Sequence, residues 1–387
     1  MEDPESFGKF ALHILDILQP YKNSAIIGTI SVMAPILKIS GVRVGPGRAL
    51  VLGMKSLLFP SSNIPSVRVN LVKKIWESVV NLAPDMFVVV SGQKGIGKTV
   101  AISTALRNKC GVVEVNVTAG DSADVIVVKS LKAIANLQYD SFISPHYSGR
   151  RVLLYYGWMF WSRPILVLNA KERELNEPYA KISDAARTLA YDYKLRVIVD
   201  GSDNTLPDSL FATKRGKLIS VDEMTKEVLE DIPELQCFIE MLRNEKLDEI
   251  VYHIVGGVPA DYNLLIDETK GLDGEDFQCA VDVFLKTLQG KAIVLRGEAK
   301  LSHPGIGEIY KLFLKTNSLP RSDELVQSIK RPSPDKTLRS VIIGSVLHLI
   351  PSTKAMAYIL NNGCEEIHTV AQIREILAVK QKPANLT

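Results

Sequence analysis

Eight consecutive residues, Gly92-Gln93-Lys94-Gly95-Ile96-Gly97-Lys98-Thr99, set glycines, lysines and a hydroxyl in the spacing G-x-x-x-x-G-K-[ST]. That spacing suits a polyphosphate. Glycines at Gly92, Gly95 and Gly97 permit backbone conformations closed to other residues. Successive N–H groups can then turn inward as an anion nest, with the positive N-terminus of the next helix behind them. Lys98 then reaches the β- and γ-phosphates, and the Thr99 hydroxyl coordinates Mg²⁺. With Val100 as the next helical residue, positions 92 to 100 form the candidate nucleotide-binding segment.

Hydrolysis needs two further groups: a carboxylate at a strand end to hold the magnesium-water shell, and a group that orients or deprotonates the attacking water. Two assignments are open. In one, Asp200 is the magnesium-side acid. In the other, Asn169 takes that place, Glu172 lies one helical turn away, and Ser202, Asp203 and Asn204 sense the γ-phosphate from the next strand. The second is preferred here, because a five-stranded sheet counted from the phosphate loop puts the acid-bearing strand third and the sensing strand fourth. Its cost is chemical: a neutral Asn can hydrogen-bond a magnesium-bound water but supplies no negative charge and accepts no proton.

Arg215, in the turn Thr213-Lys214-Arg215-Gly216-Lys217, is a candidate cation for a neighbouring subunit's nucleotide. His253 precedes a Gly256-Gly257 turn, and a lone His among apolar neighbours reads more readily as structural. Asn169-Ala170-Lys171-Glu172 does not fit the N-K-x-D motif that reads guanine, so ATP is the expected nucleotide. No G-x-S-x-G and no placed Cys-His pair supports any other hydrolase chemistry.

Stepping along the chain, the apolar run Phe87-Val88-Val89-Val90 leads straight into the loop, and a helical segment from Val100 to Arg107 follows it. Further β-rich runs at Gly111 to Thr118, Pro164 to Leu168, Leu195 to Val199 and Leu218 to Val221 alternate with helix-length segments. This is the pattern of a parallel sheet covered by helices. After the fifth strand the texture turns helical, over Thr225 to Lys246 and about Asp276 to Leu288, with Gly256-Gly257-Val258-Pro259 as a turn between them. The rest reads as mainly helical, with a loop or linker at Lys330-Arg331-Pro332-Ser333-Pro334.

The 387 residues have the composition of an ordinary folded protein, 46% apolar and 23% charged, which excludes disordered and collagenous classes. Four widely spaced cysteines form no Cys-x-x-Cys pair, against a disulfide framework, zinc ribbon or iron-sulfur cluster. The implied setting is reducing and intracellular, cytoplasmic, with the nucleus open. The net charge of +3 is uneven: between Asp16 and Glu77 there is no acidic residue, while eight Lys and Arg fall there. That segment can serve a localised acidic partner, DNA or an anionic surface. The acidic start does not read as a cleavable leader. Uncharged runs at Asn23 to Leu37 and Val152 to Ser162 are shorter than the roughly 20 residues of a spanning helix, so both read as core.

The phosphate loop, the strands at Pro164 to Asn169 and Val197 to Asn204 and the Gly256-Gly257-Val258-Pro259 turn together resemble a P-loop ATPase of the AAA+/STAND superclass. The Val89-Val90-Ser91-Gly92 entry and the atypical third-strand end are similar to the NTPase domains of crinkler-type effectors and retrotransposon hot spot proteins. The resemblance spans roughly residues 65 to 290. It implies an α/β sheet in 5-1-4-3-2 order, a small helical lid after the fifth strand, Mg-ATP between the two, and ring or dimer assembly. On it Lys98 and Thr99 carry over as phosphate and metal ligands, and Asn204 or Ser202 as sensor. The chain departs from the pattern at Asn169, and Arg243 is the available lid arginine.

The expected organisation is a basic, acid-poor segment over 1–64, the nucleotide-binding core over 65–224, a helical lid over 225–290 and a mainly helical region over 291–387. The expected activity is Mg-dependent ATP binding with slow hydrolysis, working on a macromolecular partner. The competing reading is an ATP-dependent switch or scaffold with little turnover, and a third is an adaptor for DNA or an anionic surface.

Overall fold

The computed structural model describes residue 52 and residues 68–107, 109–118, 120–135, 144–160, 162–170, 178–201, 215–302, 306–313, 316, 318–320, 338–343, 346–362 and 366–381. Apart from Leu52, the acid-poor segment before residue 68 lies outside them, as do the Lys330 to Pro334 break and Glu172, Ser202, Asp203 and Asn204.

Helix α1 (Val69–Val80) precedes β1 (Phe87–Gly92), the loop and α2 (Lys98–Ala105). Then follow β2 (Val112–Val117), α3 (Ala123–Ala135), α4 (Pro145–Phe160), β3 (Ile165–Ala170), α5 (Pro178–Asp192), β4 (Arg196–Gly201) and β5 (Gly216–Val221). The five strands are parallel in the order β2-β3-β4-β1-β5. That is the 5-1-4-3-2 order of the P-loop NTPase fold, as the resemblance implied.

The three central strands, β3, β4 and β1, are buried on both faces because their runs are nearly continuously apolar, whereas the edge strands β2 and β5 alternate buried and more exposed residues. All six residues of β1 and of β3 are buried. Successive side chains take opposite faces. Phe87 and Val89 pack with Ile126, Tyr156 and Leu189 of α3, α4 and α5, whereas Val88 and Val90 pack with Val79 of α1 and Ile102 of α2. The aromatic-rich run at Val152 to Ser162 lies largely in α4, where Val152 and Tyr156 are fully buried in the first of these clusters. Among the described residues no helix is long and apolar enough to cross a membrane.

Beyond β5 come α6 (Lys226–Glu230), α7 (Pro233–Asn244), α8 (Asp248–Val255), α9 (Pro259–Thr269) and α10 (Gly274–Ser302). The segment Thr225 to Lys246, read from sequence as one helical stretch, is two helices. Pro233 opens the second, and the N–H it lacks is one that a first turn leaves unbonded anyway. Helix α10 continues well past Leu288 and carries the chain without a break across residue 290.

The C-terminal region contains α11 (Ile306–Phe313), α12 (Lys354–Asn362) and α13 (Val370–Gln381). It also holds a three-stranded antiparallel sheet that the sequence reading did not foresee: β6 (Leu319–Pro320), β7 (Leu338–Ile343) and β8 (Val346–Pro351), in the order β6-β8-β7. One hydrophobic cluster runs from Met224 through Phe277 to Ile373, so the helices after β5 and the C-terminal region share a core.

Candidate nucleotide site

The loop leaves β1 at its C-terminal end and enters α2 through two left-handed glycines, Gly95 at φ +81° and Gly97 at φ +91°. Those two positions need glycine for the backbone reason foreseen from sequence. Gly92 needs it for space instead: a Cβ there would stand 2.6 Å from the Val221 carbonyl oxygen of β5. Ile96 is fully buried in the cluster under α1 and α2 and anchors the loop from below, while Val100 faces solvent from the first turn of α2.

Lys98 is 5% exposed, and its ammonium donates to the carbonyl oxygens of Gly92 at 2.7 Å and Gln93 at 2.9 Å. The cation is thereby held curled over its own loop, where phosphate oxygens can take the place of those carbonyls. Gln93 is buried as well, with its side-chain oxygen lacking a hydrogen-bond partner. Lys94, between Gln93 and Gly95, is exposed.

Across from the loop, the Thr99 hydroxyl donates to Asp200 Oδ2 at 2.7 Å. Asp200 is the last residue but one of β4, directly beside Val90 of β1 in the sheet register. It is 4% exposed, and its second oxygen, Oδ1, is buried without a partner. A buried carboxylate oxygen with no donor is costly, and a cation or a metal-bound water would satisfy it. Asn169 stands one strand further out, in register with both Asp200 and Asn116. Its amide donates sideways to Asn116 Oδ1 at 3.4 Å. A polar row, Asn116, Asn169 and Asp200, thus crosses three strands at one level. Asn116 was missed from sequence, although a polar residue at the equivalent depth of the neighbouring strand is the signal that could have found it.

Arg215 precedes β5 at the opposite end of the sheet, where its carbonyl accepts from Phe87 N–H. Five strand residues separate that level from the loop, about 16 Å at the usual rise. Arg215 therefore does not reach the nucleotide position of its own chain. Arg243, in α7, is paired with Glu230 at 2.5 Å.

The helices after β5 close over the loop. A Cβ on Gly95 would come within 2.5 Å of Ala260 Cβ and 3.3 Å of Val258, and one on Gly97 within 3.6 Å of Met224 Cε. The Gly256-Gly257 turn and the β5 exit are bound to each other by a hydrogen bond from Met224 N–H to the Gly257 carbonyl, 2.9 Å. On the far side of that pair, Gly256 packs against Glu223 and Lys354, which lie 3.9 Å apart as an ion pair. A pocket of about 550 Å³ opens there, lined by Glu223, Tyr252, His253, Lys354, Tyr358 and Asn361 among others. His253 sits in it edge-on to Tyr358 at 5.5 Å, away from the phosphate loop.

No known family model matches the chain, and no curated protein matches it in sequence. Among solved structures, it is similar to Cdc6p from Pyrobaculum aerophilum, with 12% identity over 84% of this chain and 97% of that one and a TM-score of 0.34. A second is the Aeropyrum pernix ORC1 protein solved in complex with DNA, with 13% identity over 81% and 96% and a TM-score of 0.32. A third, described as a DNA replication initiation factor, gives 13% identity over 58% and 80% and a TM-score of 0.27. At those values it is the strand order and register of this chain itself that carry the fold.

Proposed function

We propose that the chain binds Mg-ATP at Gly92 to Val100 and hydrolyses it slowly, as an ATPase of the AAA+/STAND type acting on a macromolecular partner. The observation that supports this reading best is the hydrogen bond from Thr99 to Asp200 with Asp200 Oδ1 left over, at the mouth of a glycine nest. The donor set suits magnesium, a hard cation that takes a hydroxyl, a carboxylate oxygen and water. When bound, Mg²⁺ neutralises phosphate charge and orients the oxygens of the β- and γ-phosphates. Lys98 and the loop N–H groups bind the phosphates, Thr99 and Asp200 hold the metal side, and Met224, Val258 and Ala260 roof the loop against water.

This geometry favours Asp200 over Asn169 as the magnesium-side acid, the first of the two assignments weighed from sequence. Asn169 is left the lesser role of hydrogen-bonding a water at the edge of that shell. Glu172 as base, Asn204 as sensor and Arg215 as a cation offered to a second copy complete the proposed catalytic set.

A second reading, the ATP-dependent switch, is favoured by one specific arrangement. Met224 after β5 and Val258 and Ala260 at the start of α9 touch the loop, while the adjoining Gly256 touches Lys354 of the C-terminal region. In this reading a rearrangement of the loop on nucleotide binding passes through these contacts to Lys354, whether or not turnover follows.

ATP binding and single-turnover hydrolysis by wild type, Lys98→Ala, Asp200→Asn and Glu172→Gln separate these readings. Turnover lost in Asp200→Asn together with magnesium dependence supports the ATPase with Asp200 on the metal. Tight binding without turnover in wild type supports the switch, and absence of binding in wild type defeats both.

A further inference from the structure

We propose that Arg163 and Arg196, at the end of the sheet remote from the phosphate loop, bind a small phosphate dianion. Arg196 opens β4, four residues before Asp200 and so about 13 Å from it at the usual rise of a strand. Arg163 lies two residues before β3, and the two segments meet there. Arg196 N–H donates to the Pro164 carbonyl at 3.0 Å, and Ile165 stands opposite Arg196 in the register. One corner of the fold thus carries two arginines.

Neither has the partner its chemistry calls for. Arg163 makes one hydrogen bond, to the Leu82 carbonyl at 3.1 Å, and no ion pair among the described residues. The Arg196 side chain makes neither, although it is half-buried and its Nε is enclosed. Burial, and then the like charge of Arg163, lower the Arg196 pKa. A guanidinium nevertheless keeps its proton in a protein, so it does not escape by discharging. A buried N–H without an acceptor is costly, and an adjacent cation adds to that cost; an anion held between the two arginines removes both.

The surroundings define the anion. The fully buried Tyr156 brings its hydroxyl to the same corner, where a Cβ on Gly111 would collide with it, and the Ser162 hydroxyl lies beside it. Both are donors, and no carboxylate is among the groups acting on Arg196. The stretch that reaches this end of the sheet at Leu52, whose carbonyl accepts from Gly111 N–H at 3.1 Å, brings none either, since no acidic residue falls between Asp16 and Glu77. Two fixed positive charges are neutralised by a dianion and not by a monocarboxylate, and a tetrahedral phosphate offers oxygens to both planar forks.

The test is calorimetric titration of the full chain with inorganic phosphate and with glycerol 3-phosphate, chloride holding the ionic strength constant. Wild type, Arg163→Gln, Arg196→Gln and Lys98→Ala are compared, the last because the phosphate loop also attracts the probe. Binding should weaken about tenfold or more in each arginine variant and persist in Lys98→Ala. Binding of both probes then identifies a phosphate ester as an acceptable ligand, and binding of inorganic phosphate alone identifies the free anion. Melting without phosphate guards against a folding defect: removing one of two like charges should leave Arg196→Gln at or above the wild-type melting temperature. Binding lost in Lys98→Ala but kept in Arg196→Gln belongs to the loop and overturns the inference, as does wild type that binds neither probe. A melting temperature well below wild type without phosphate assigns Arg196 to the structure and overturns it too.

Discussion

At the scale of single residues, the proposed site is a set of buried polar groups that a bound nucleotide and metal would satisfy. Lys98 holds its charge inside the fold against two carbonyl oxygens, and Asp200 keeps one oxygen for Thr99 and one for nothing else among the described residues. Replacing Lys98 with Ala removes the charge and takes away the ammonium donor of the Gly92 and Gln93 carbonyls. The melting temperature should fall modestly, as expected for about 1–3 kcal/mol, while ATP affinity, read by calorimetry, falls about 10- to 100-fold on loss of charge-assisted hydrogen bonds. Asp200→Asn is the sharper probe. The amide keeps the shape and the contact with Thr99 but offers the metal a weaker oxygen, so ATP binding should become insensitive to added magnesium.

At the scale of elements, the turn between α8 and α9 is the most constrained part of the roof. Gly256 has φ +78° and ψ −162°, a region that essentially only glycine enters. A Cβ there would also meet Lys354 Cγ at 2.5 Å and Glu223 Oε2 at 2.8 Å. Gly271 offers a control, because it has nearly the same φ, +79°, with open space around it. Gly271→Ala should cost about 1 kcal/mol from backbone strain alone. Gly256→Ala should cost about 2–3 kcal/mol or more, strain plus displacement of the Lys354 side chain. Denaturant titration of the two variants checks the difference. In the sheet, Ile198 of β4 is fully buried between β1 and β3, and Ile198→Ala should cost about 2–5 kcal/mol by the same measurement.

At the scale of the whole molecule, the shared core from Met224 to Ile373 makes the roof and the C-terminal region one packed body, and Asp261 lies in the first turn of α9, next in the chain to Ala260 of the roof. Burial, and then the nearby Glu223 carboxylate, raise the Asp261 pKa to about 6, with Lys291 pulling the other way. A carboxyl raised on folding prefers its protonated form in the folded state. Its penalty is present in full above about pH 6 and fades as pH falls toward the unfolded value near 4. Asp261→Asn should therefore stabilise the protein at pH 7.5 by an amount of order 2 kcal/mol, and the gain should shrink to nothing by about pH 4. Denaturation midpoints of both proteins across that range supply the check. A gain that is constant with pH would assign the effect to something other than titration.

The phosphate loop, the five strands around it and the apolar faces of their helices were legible in the sequence because each is local. Glycine spacing dictates which backbone conformations are reachable, and uninterrupted apolar runs such as Phe87 to Val90 have no stable place except between two layers. The break at Pro233 and the length of α10 were within reach of the same rules. The strands β7 and β8 were not read, since short apolar segments carry no periodicity that separates strand from helix until a partner strand is in register. Neither could one-dimensional spacing choose between Asn169 and Asp200. Both end a strand beside the loop's level, and what favours Asp200 is that β4, not β3, lies next to β1, within reach of Thr99. Adjacency of strands distant in sequence is decided by how helices of given length pack across a twisted sheet, and only the tertiary structure contains it.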